Sequence, residues 1–364
     1  MEGCPPDPGA PALGEPAPRA FVALSRTNFL ALRGTFRGRL AETWPGEVEL
    51  LDRSTGEPRW RGMARLVRHA GRYDAVVVDG SIGARGAYVD RVAAAIIRRR
   101  SDPPVVVVSD CPWKRGSWWL DRVAGAMAFR LLDGPGVTYC VPTRAERSLF
   151  PSTWGVDPER VAWTPWPFIL SEQDLEAPVS DDGGVFAAGD SLRDYGPLIE
   201  AARMLGAPVT IATRRRDVLR RRDLPPNITA ASVSHARYVE LMRKATAVVV
   251  PLAETGERSA GETTYVNALA MGKLVVVPDR LGVREYVRDG ETGLVVPGDD
   301  AGALADALRW ALDPANAERR RAIGALARKW ARSRLDPDGY VLDILRVAWE
   351  ALERRKLSRR IRDR

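Results

Sequence analysis

The run Ser259-Ala260-Gly261-Glu262-Thr263-Thr264 sets small and hydroxylated residues directly before a helical stretch, Thr263–Met271. Gly261 lets the backbone approach a ligand closely, and Thr263 or Thr264 can cap the helix or offer a hydroxyl. The free N–H groups of a first helical turn, with the positive end of the macrodipole, make a ready anion site. A capped helix after a loop has the same text, so the motif alone leaves both roles open. In the first half, two acids end apolar runs: Val78-Asp79-Gly80-Ser81 and Val108-Ser109-Asp110-Cys111-Pro112-Trp113. Ligands of open α/β sheets lie beyond the carboxyl ends of strands. Asp110 there can take a proton or offset positive charge at a reacting centre, and it equally suits a turn or a helix cap. Trp113, Trp118 and Trp119 follow it; such rings stack on ligands, face lipid, or fill a core, the last being the commoner fate.

These residues need elements to hold them. Short apolar runs occur at 20–24, 75–78, 105–108, 185–188, 209–212, 247–250, 274–277 and 294–296. Most are continuous instead of alternating, the mark of parallel strands buried on both faces. Helical stretches such as Tyr88–Arg100, Arg237–Lys244 and Thr263–Met271 lie between them. That alternation predicts βαβ units in open, doubly wound sheets. The acidic, turn-rich run Ser171–Gly184 has no apolar period and divides the chain near its midpoint. The expected organisation is a disordered Pro/Gly/Ala-rich lead-in at 1–18, an α/β domain at 19–170, a linker at 171–182 and a second α/β domain at 183–330. A last helix, Gly339–Lys356, and a basic tail occupy the remainder, 331–364.

Composition removes several classes. The 364 residues are 45% hydrophobic and 28% charged, which excludes collagen, wholesale disorder and a disulfide-stapled miniprotein. No apolar run reaches the roughly 20 residues of a membrane-spanning helix, and the first residues do not read as a secretory leader. Cys4, Cys111 and Cys140 are scattered, so no metal site is expected and a reducing, cytoplasmic setting is. The net charge is +8, and residues 353–364 alone hold seven basic against two acidic side chains. A basic chain suits a polyanionic partner, whether nucleic acid, an anionic membrane or a phosphorylated small molecule. No nucleic-acid-binding signature accompanies the charge, and none is expected to be bound. The tail is expected to touch anionic membrane weakly, or else to be a solvated end.

The block at 248–300 resembles the donor-binding domain of the family-4 glycosyltransferases, the group 1 domain of the GT-B fold. The features that carry this are Pro251 after an apolar strand, Gly261, and Ala270-Met271-Gly272-Lys273 leading into Val275-Val276-Val277. Gly282-Val283-Arg284, Asp289-Gly290-Glu291-Thr292-Gly293-Leu294 and Val296-Pro297-Gly298-Asp299 follow in order. Upstream, Ala187-Ala188-Gly189-Asp190 with Arg193-Asp194-Tyr195 is similar to that domain's opening strand and loop. The match is close over 183–330 and general over 19–170.

The resemblance implies two Rossmann-like domains facing across a cleft, with the acceptor on the first, the nucleotide-sugar on the second, and the last helix crossing back. It implies transfer of a sugar from a nucleoside diphosphate, UDP foremost, with retention of configuration, to a small-molecule or lipid-linked acceptor. No cofactor beyond that co-substrate is implied, and no metal. It further implies that Arg193 neutralises the leaving diphosphate together with Gly261, Thr263 and Thr264 of the loop. A partner arginine is missing, and Arg214, Arg215 and Arg216 are substitutes or a solvated run. Of the family's two glutamates eight positions apart, the sugar-facing one falls on Ser259 and the ribose-binding one on Asn267. Asn267 can still bond a diol. Glu257 or Glu262 would have to stand in at the sugar, with Asp110 facing the sugar or acceptor. Related chains place a histidine near Asp110, whereas His69 and His235 fall elsewhere. The glycine-flanked loop 33–38 is a second candidate for phosphate contact, or a surface turn. The lost acids also admit a different class, a non-catalytic sugar-nucleotide binder or accessory subunit.

Overall fold

The computed structural model describes residues 21–24, 47–50, 59–80, 87–111, 113, 119–254 and 256–362. The lead-in at 1–18, the loop 33–38, Ser81, Pro112 and Trp118 lie outside the described residues.

The first half contributes strands β1 (Phe21–Leu24), β2 (Glu47–Leu50), β3 (Ala75–Asp79), β4 (Val105–Ser109), β5 (Val137–Val141) and β6 (Val161–Trp163). Its helices are α1 (Arg59–His69), α2 (Ala87–Ile97), α3 (Trp119–Leu132) and α4 (Arg144–Trp154). The strands form one parallel sheet in the order β2-β1-β3-β4-β5-β6. Strands β3 and β4 are buried from end to end, as their unbroken valine runs require.

After a short helix α5 (Glu172–Glu176), the second half adds β7 (Val185–Ala188), α6 (Gly196–Leu205), β8 (Val209–Ala212), α7 (Arg216–Leu219) and β9 (Ile228–Ala231). Then come α8 (His235–Lys244), β10 (Ala247–Val249), α9 (Glu262–Met271), β11 (Leu274–Pro278), β12 (Leu294–Val296), α10 (Ala301–Leu312) and α11 (Ala317–Arg334). This second sheet is also parallel, in the order β12-β11-β10-β7-β8-β9. The molecule is thus the pair of Rossmann-like sheets expected of the GT-B fold.

The last helix, α12 (Pro337–Arg362), returns to the first sheet. Tyr340, Val341, Ile344, Leu345 and Ala348 pack beneath Ala75, Val77, Val105 and Val107. It therefore covers the face that α2 and α3 leave open. Between the sheets, Phe168 and Leu170 already sit in the second core, and the Phe168 N–H donates to the Leu335 carbonyl at 3.0 Å. The acidic connection is bound to the second domain. Ser171 and Asp174 form a capping box on α5, and Asp181 accepts from the buried Lys273 at 2.9 Å and Arg320 at 3.3 Å.

Candidate functional site

The loop after β10 turns into α9 at Gly261, whose φ of 93° is left-handed. A side chain there would meet Leu252 Cδ2 at 2.8 Å and Val250 Cγ1 at 3.0 Å, so only glycine fits. Gly261 is itself the N-cap, and no side chain caps the helix. Thr263 and Thr264 therefore do not cap α9, because the chain enters the helix two residues earlier than that role needs. The amino end stays available for an anion. Thr264, the third residue of α9, is buried, and its hydroxyl accepts from Arg193 Nη2 at 3.4 Å.

Arg193 comes from the loop after β7 and is 7% exposed. Its Nε donates to the Ala188 carbonyl at 3.1 Å and its Nη1 to the Ser191 carbonyl at 2.8 Å. Gly189, at φ 118°, makes room for it: a Cβ would fall 2.6 Å from Nη2. Burial lowers the Arg193 pKa, with Tyr195 and Glu262 opposing that shift. The guanidinium is thus a fixed cation with few waters, held where α9 begins. Arg214 joins it at the rim, since Asp190 accepts from its backbone N–H and its Nε, both at 2.7 Å. Arg215 and Arg216 do not line the same cavity.

Asn267 is fully buried, and its Oδ1 accepts the Ile169 N–H at 2.9 Å. That bond fixes the amide's orientation, because a backbone N–H needs the oxygen and not the nitrogen. Nδ2 is left without a partner and can only donate. The acceptor half of the expected diol contact is already used in holding the interdomain segment.

Across the cleft, Asp110 directly follows β4 with φ 52°, unusual for a residue other than glycine. It is exposed only partly and is enclosed by protein. Burial, then Asp79, Glu262 and Glu146, push its carboxyl well above the usual range. Asp110 therefore holds its proton more tightly than an ordinary carboxyl. Trp113 is not a ligand platform. It is 5% exposed, packs edge-on to Phe129 and Tyr139, and donates from Nε1 to the Gly80 carbonyl at 2.6 Å. No side-chain placement is described for Trp119.

Glu146 escaped the sequence reading. It is the third residue of α4, and its backbone N–H donates to the N-cap Thr143 Oγ1 at 3.1 Å. Its carboxylate reaches into the second domain, accepting the Ser259 N–H at 2.9 Å and the Ser259 hydroxyl at 3.0 Å. Burial and the nearby Glu262 raise its pKa to about 7. An acid therefore does reach Ser259, from the opposite side of the cleft. Thr143-x-x-Glu146 after the apolar run Val137–Val141 is a capping-box pattern that marks the helix start but not this reach. His235 and Tyr238 of α8 were also missed; their rings lie stacked, 6.1 Å apart.

One cavity of about 720 Å³ gathers these groups from both domains. It brings together all seven residues singled out as a site: Asp110, Arg193, Gly261, Glu262, Thr263, Thr264 and Asn267. Glu146, Arg214, Ser259, His235 and Tyr238 line it too, and Glu257 does not. Glu262 Oε1 is buried with no hydrogen-bond partner. The volume suits a ligand larger than a monosaccharide. The second domain supplies Arg193, Arg214 and the acid Glu262, and the first supplies Asp110 and Glu146, so fixed cations and acids meet in one cavity.

Residues 191–314 match the family model described as glycosyl transferases group 1. No curated protein matches the chain. Among solved structures, sucrose-phosphate synthase from Thermosynechococcus elongatus is similar with a TM-score of 0.63 at 15% identity, covering 94% of this chain and 99% of that one. HepE of Anabaena, solved with UDP and glucose, gives 0.58 at 15% identity over 91% and 99%. A glycosyltransferase from Rickettsia africae gives 0.57 at 12% identity over 92% and 99%. The loop and helix that bound the cavity lie inside the matched segment. Residues 191–314 thus match the glycosyl transferases group 1 family, and the chain that carries them has the GT-B fold of these glycosyltransferase structures.

Proposed function

We propose that the cavity binds a nucleoside diphosphate sugar, with UDP as the first nucleotide to test, and that the sugar passes to an acceptor hydroxyl held on the first domain. The observation that carries this is the buried Arg193 guanidinium set against the uncapped amino end of α9. Both act where a departing diphosphate gains negative charge, and neither has to reorganise as it leaves. Gly261 permits the close approach, Thr263 and Thr264 offer hydroxyls, and Asn267 Nδ2 donates to a ribose oxygen. The His235 ring can stack on a base.

Glu146 and Glu262 supply the acids facing the sugar. With a pKa near 7, Glu146 can donate to a sugar hydroxyl when protonated and accept when ionised. Asp110 holds its proton tightly beside its acidic neighbours, with Arg258 opposing them, so further positive charge from bound substrate would favour its action as a base. Retention of configuration is the outcome the group 1 resemblance favours. Glu146 beside Ser259 also weighs against a non-catalytic binder, since an acid is present where the loop has lost one.

Thermal unfolding with UDP, GDP, ADP and their sugars tests the reading. A ligand of the folded state raises the melting temperature with the logarithm of its saturation. At least one nucleoside diphosphate should do so, and its sugar should be released or hydrolysed over hours. No shift with any of them would overturn donor binding. A shift without sugar release under any acceptor would leave the accessory-subunit reading in its place.

A further inference from the structure

The helices on one side of the first sheet leave an apolar surface uncovered. α2 and α3 follow β3 and β4, and each leads to the next parallel neighbour in the same direction, so they share one side of the sheet. Val92 and Ile96 on α2, and Val123, Met127 and Leu131 on α3, recur every four residues, and each is half or more exposed. Arg98 Nε and Arg99 Nη1 donate to the Leu131 carbonyl at 2.9 and 2.7 Å, so the two helices end together.

The end of α12 arrives at the same edge from the other side of the sheet. Arg355 bonds Asp102, in the turn after α2, at 2.5 Å, and Arg359 bonds the same carboxylate. Beyond these contacts Leu357 and Ile361, one turn apart, are 59% and 65% exposed. The edge is basic. Residues 98–100 are three arginines, and residues 353–362 hold six basic side chains against one acid. Asp102 is engaged by Arg355 and Arg359, and Glu353 by Lys356 at 2.7 Å.

We propose that the outer face of α2 and α3, rimmed at its end by Arg98, Arg99 and Arg100, seats the first domain on an anionic lipid bilayer. Apolar side chains enter the headgroup–acyl boundary while arginines stay among the phosphates, the pattern of interfacial helices. Charge complementarity selects this occupant. A second copy of the chain would bring the same positive charge against itself. Among the described residues no helix is long and apolar enough to cross a membrane, so the contact is peripheral.

Co-sedimentation of the full chain tests this, using vesicles of equal parts phosphatidylglycerol and phosphatidylcholine against phosphatidylcholine alone. The chain should bind the anionic vesicles at low salt and release them at high salt. Met127→Glu with Leu131→Glu should weaken binding by about tenfold or more, whereas Leu357→Glu with Ile361→Glu, on the other side of the sheet, should leave most of it. Both pairs are on the surface, and unchanged thermal unfolding with and without a nucleoside diphosphate shows that fold and donor site are intact. Failure of the unaltered chain to bind anionic vesicles overturns the proposal, as does full binding by the Met127/Leu131 variant. A dimer in light scattering that this variant abolishes would assign the face to a second copy instead.

Discussion

At the scale of residues, the site is a problem in sharing protons. Asp110, Glu146 and Glu262 line the cavity with Asp79 close to Asp110, and Asp110 and Glu146 respond by holding protons above their ordinary pKa. For Glu146 the folded value is raised from 4.5 to about 7, so its contribution to stability is full below 4.5 and is lost as pH rises through 7. Glu146→Gln keeps a polar partner for Ser259 and removes the titration. The variant's melting temperature relative to the unaltered chain should therefore climb between about pH 4.5 and 7, and turnover should fall roughly 10²-fold. A melting-temperature difference that does not vary with pH would show that Glu146 is not proton-linked to folding. The loop-helix motif with Gly261 and Thr264 was legible because its meaning is local. Glu146 was not, because it acts on Ser259, 113 positions away, and no spacing rule reaches that far.

At the scale of elements, the legible strands were those whose burial dictates their composition. β3 and β4 are nearly all valine because both faces are covered. β2 alternates as Glu-Val-Glu-Leu on the sheet edge, and the edge strand β9 is only partly buried, so neither stood out. β5 and the short β6 were also missed, since threonine, tyrosine and tryptophan interrupt their apolar text. The acidic run 171–184 was read as a linker from its polarity. Its charge has a further use, for Asp181 is the acid that meets Lys273 and Arg320, both nearly buried. Asp181→Ala should leave two buried cations without their carboxylate and destabilise the chain by about 2–4 kcal/mol, less than for a fully buried pair because Asp181 is partly exposed. Chemical denaturation would read it. A change within about 0.5 kcal/mol would mean that water already compensates these cations.

At the scale of the whole molecule, hydrogen bonds between the described parts of the two domains join beside the cavity, where Pro142, Glu146 and Trp166 line it. Glu285 accepts from the first N–H groups of α4, Arg144 at 2.8 Å and Ala145 at 3.0 Å, so one domain supplies the helix cap of the other. The Tyr286 hydroxyl donates to the Pro142 carbonyl at 2.6 Å and accepts the Trp166 N–H at 2.7 Å. Together with Glu146 on Ser259, these bonds fix how the acids of the first domain meet the cations of the second. The central claim is that the second domain's cationic wall holds a diphosphate. Calorimetry with Arg193→Ala tests it most directly, comparing a nucleoside diphosphate with its bare nucleoside. Loss of a charge-assisted contact should cost about 1.5–3 kcal/mol for the diphosphate, roughly ten- to hundredfold in affinity, and leave the nucleoside nearly unchanged. Equal weakening of both ligands would contradict the account, because Arg193 would then be supporting the fold of the loop and not the phosphates.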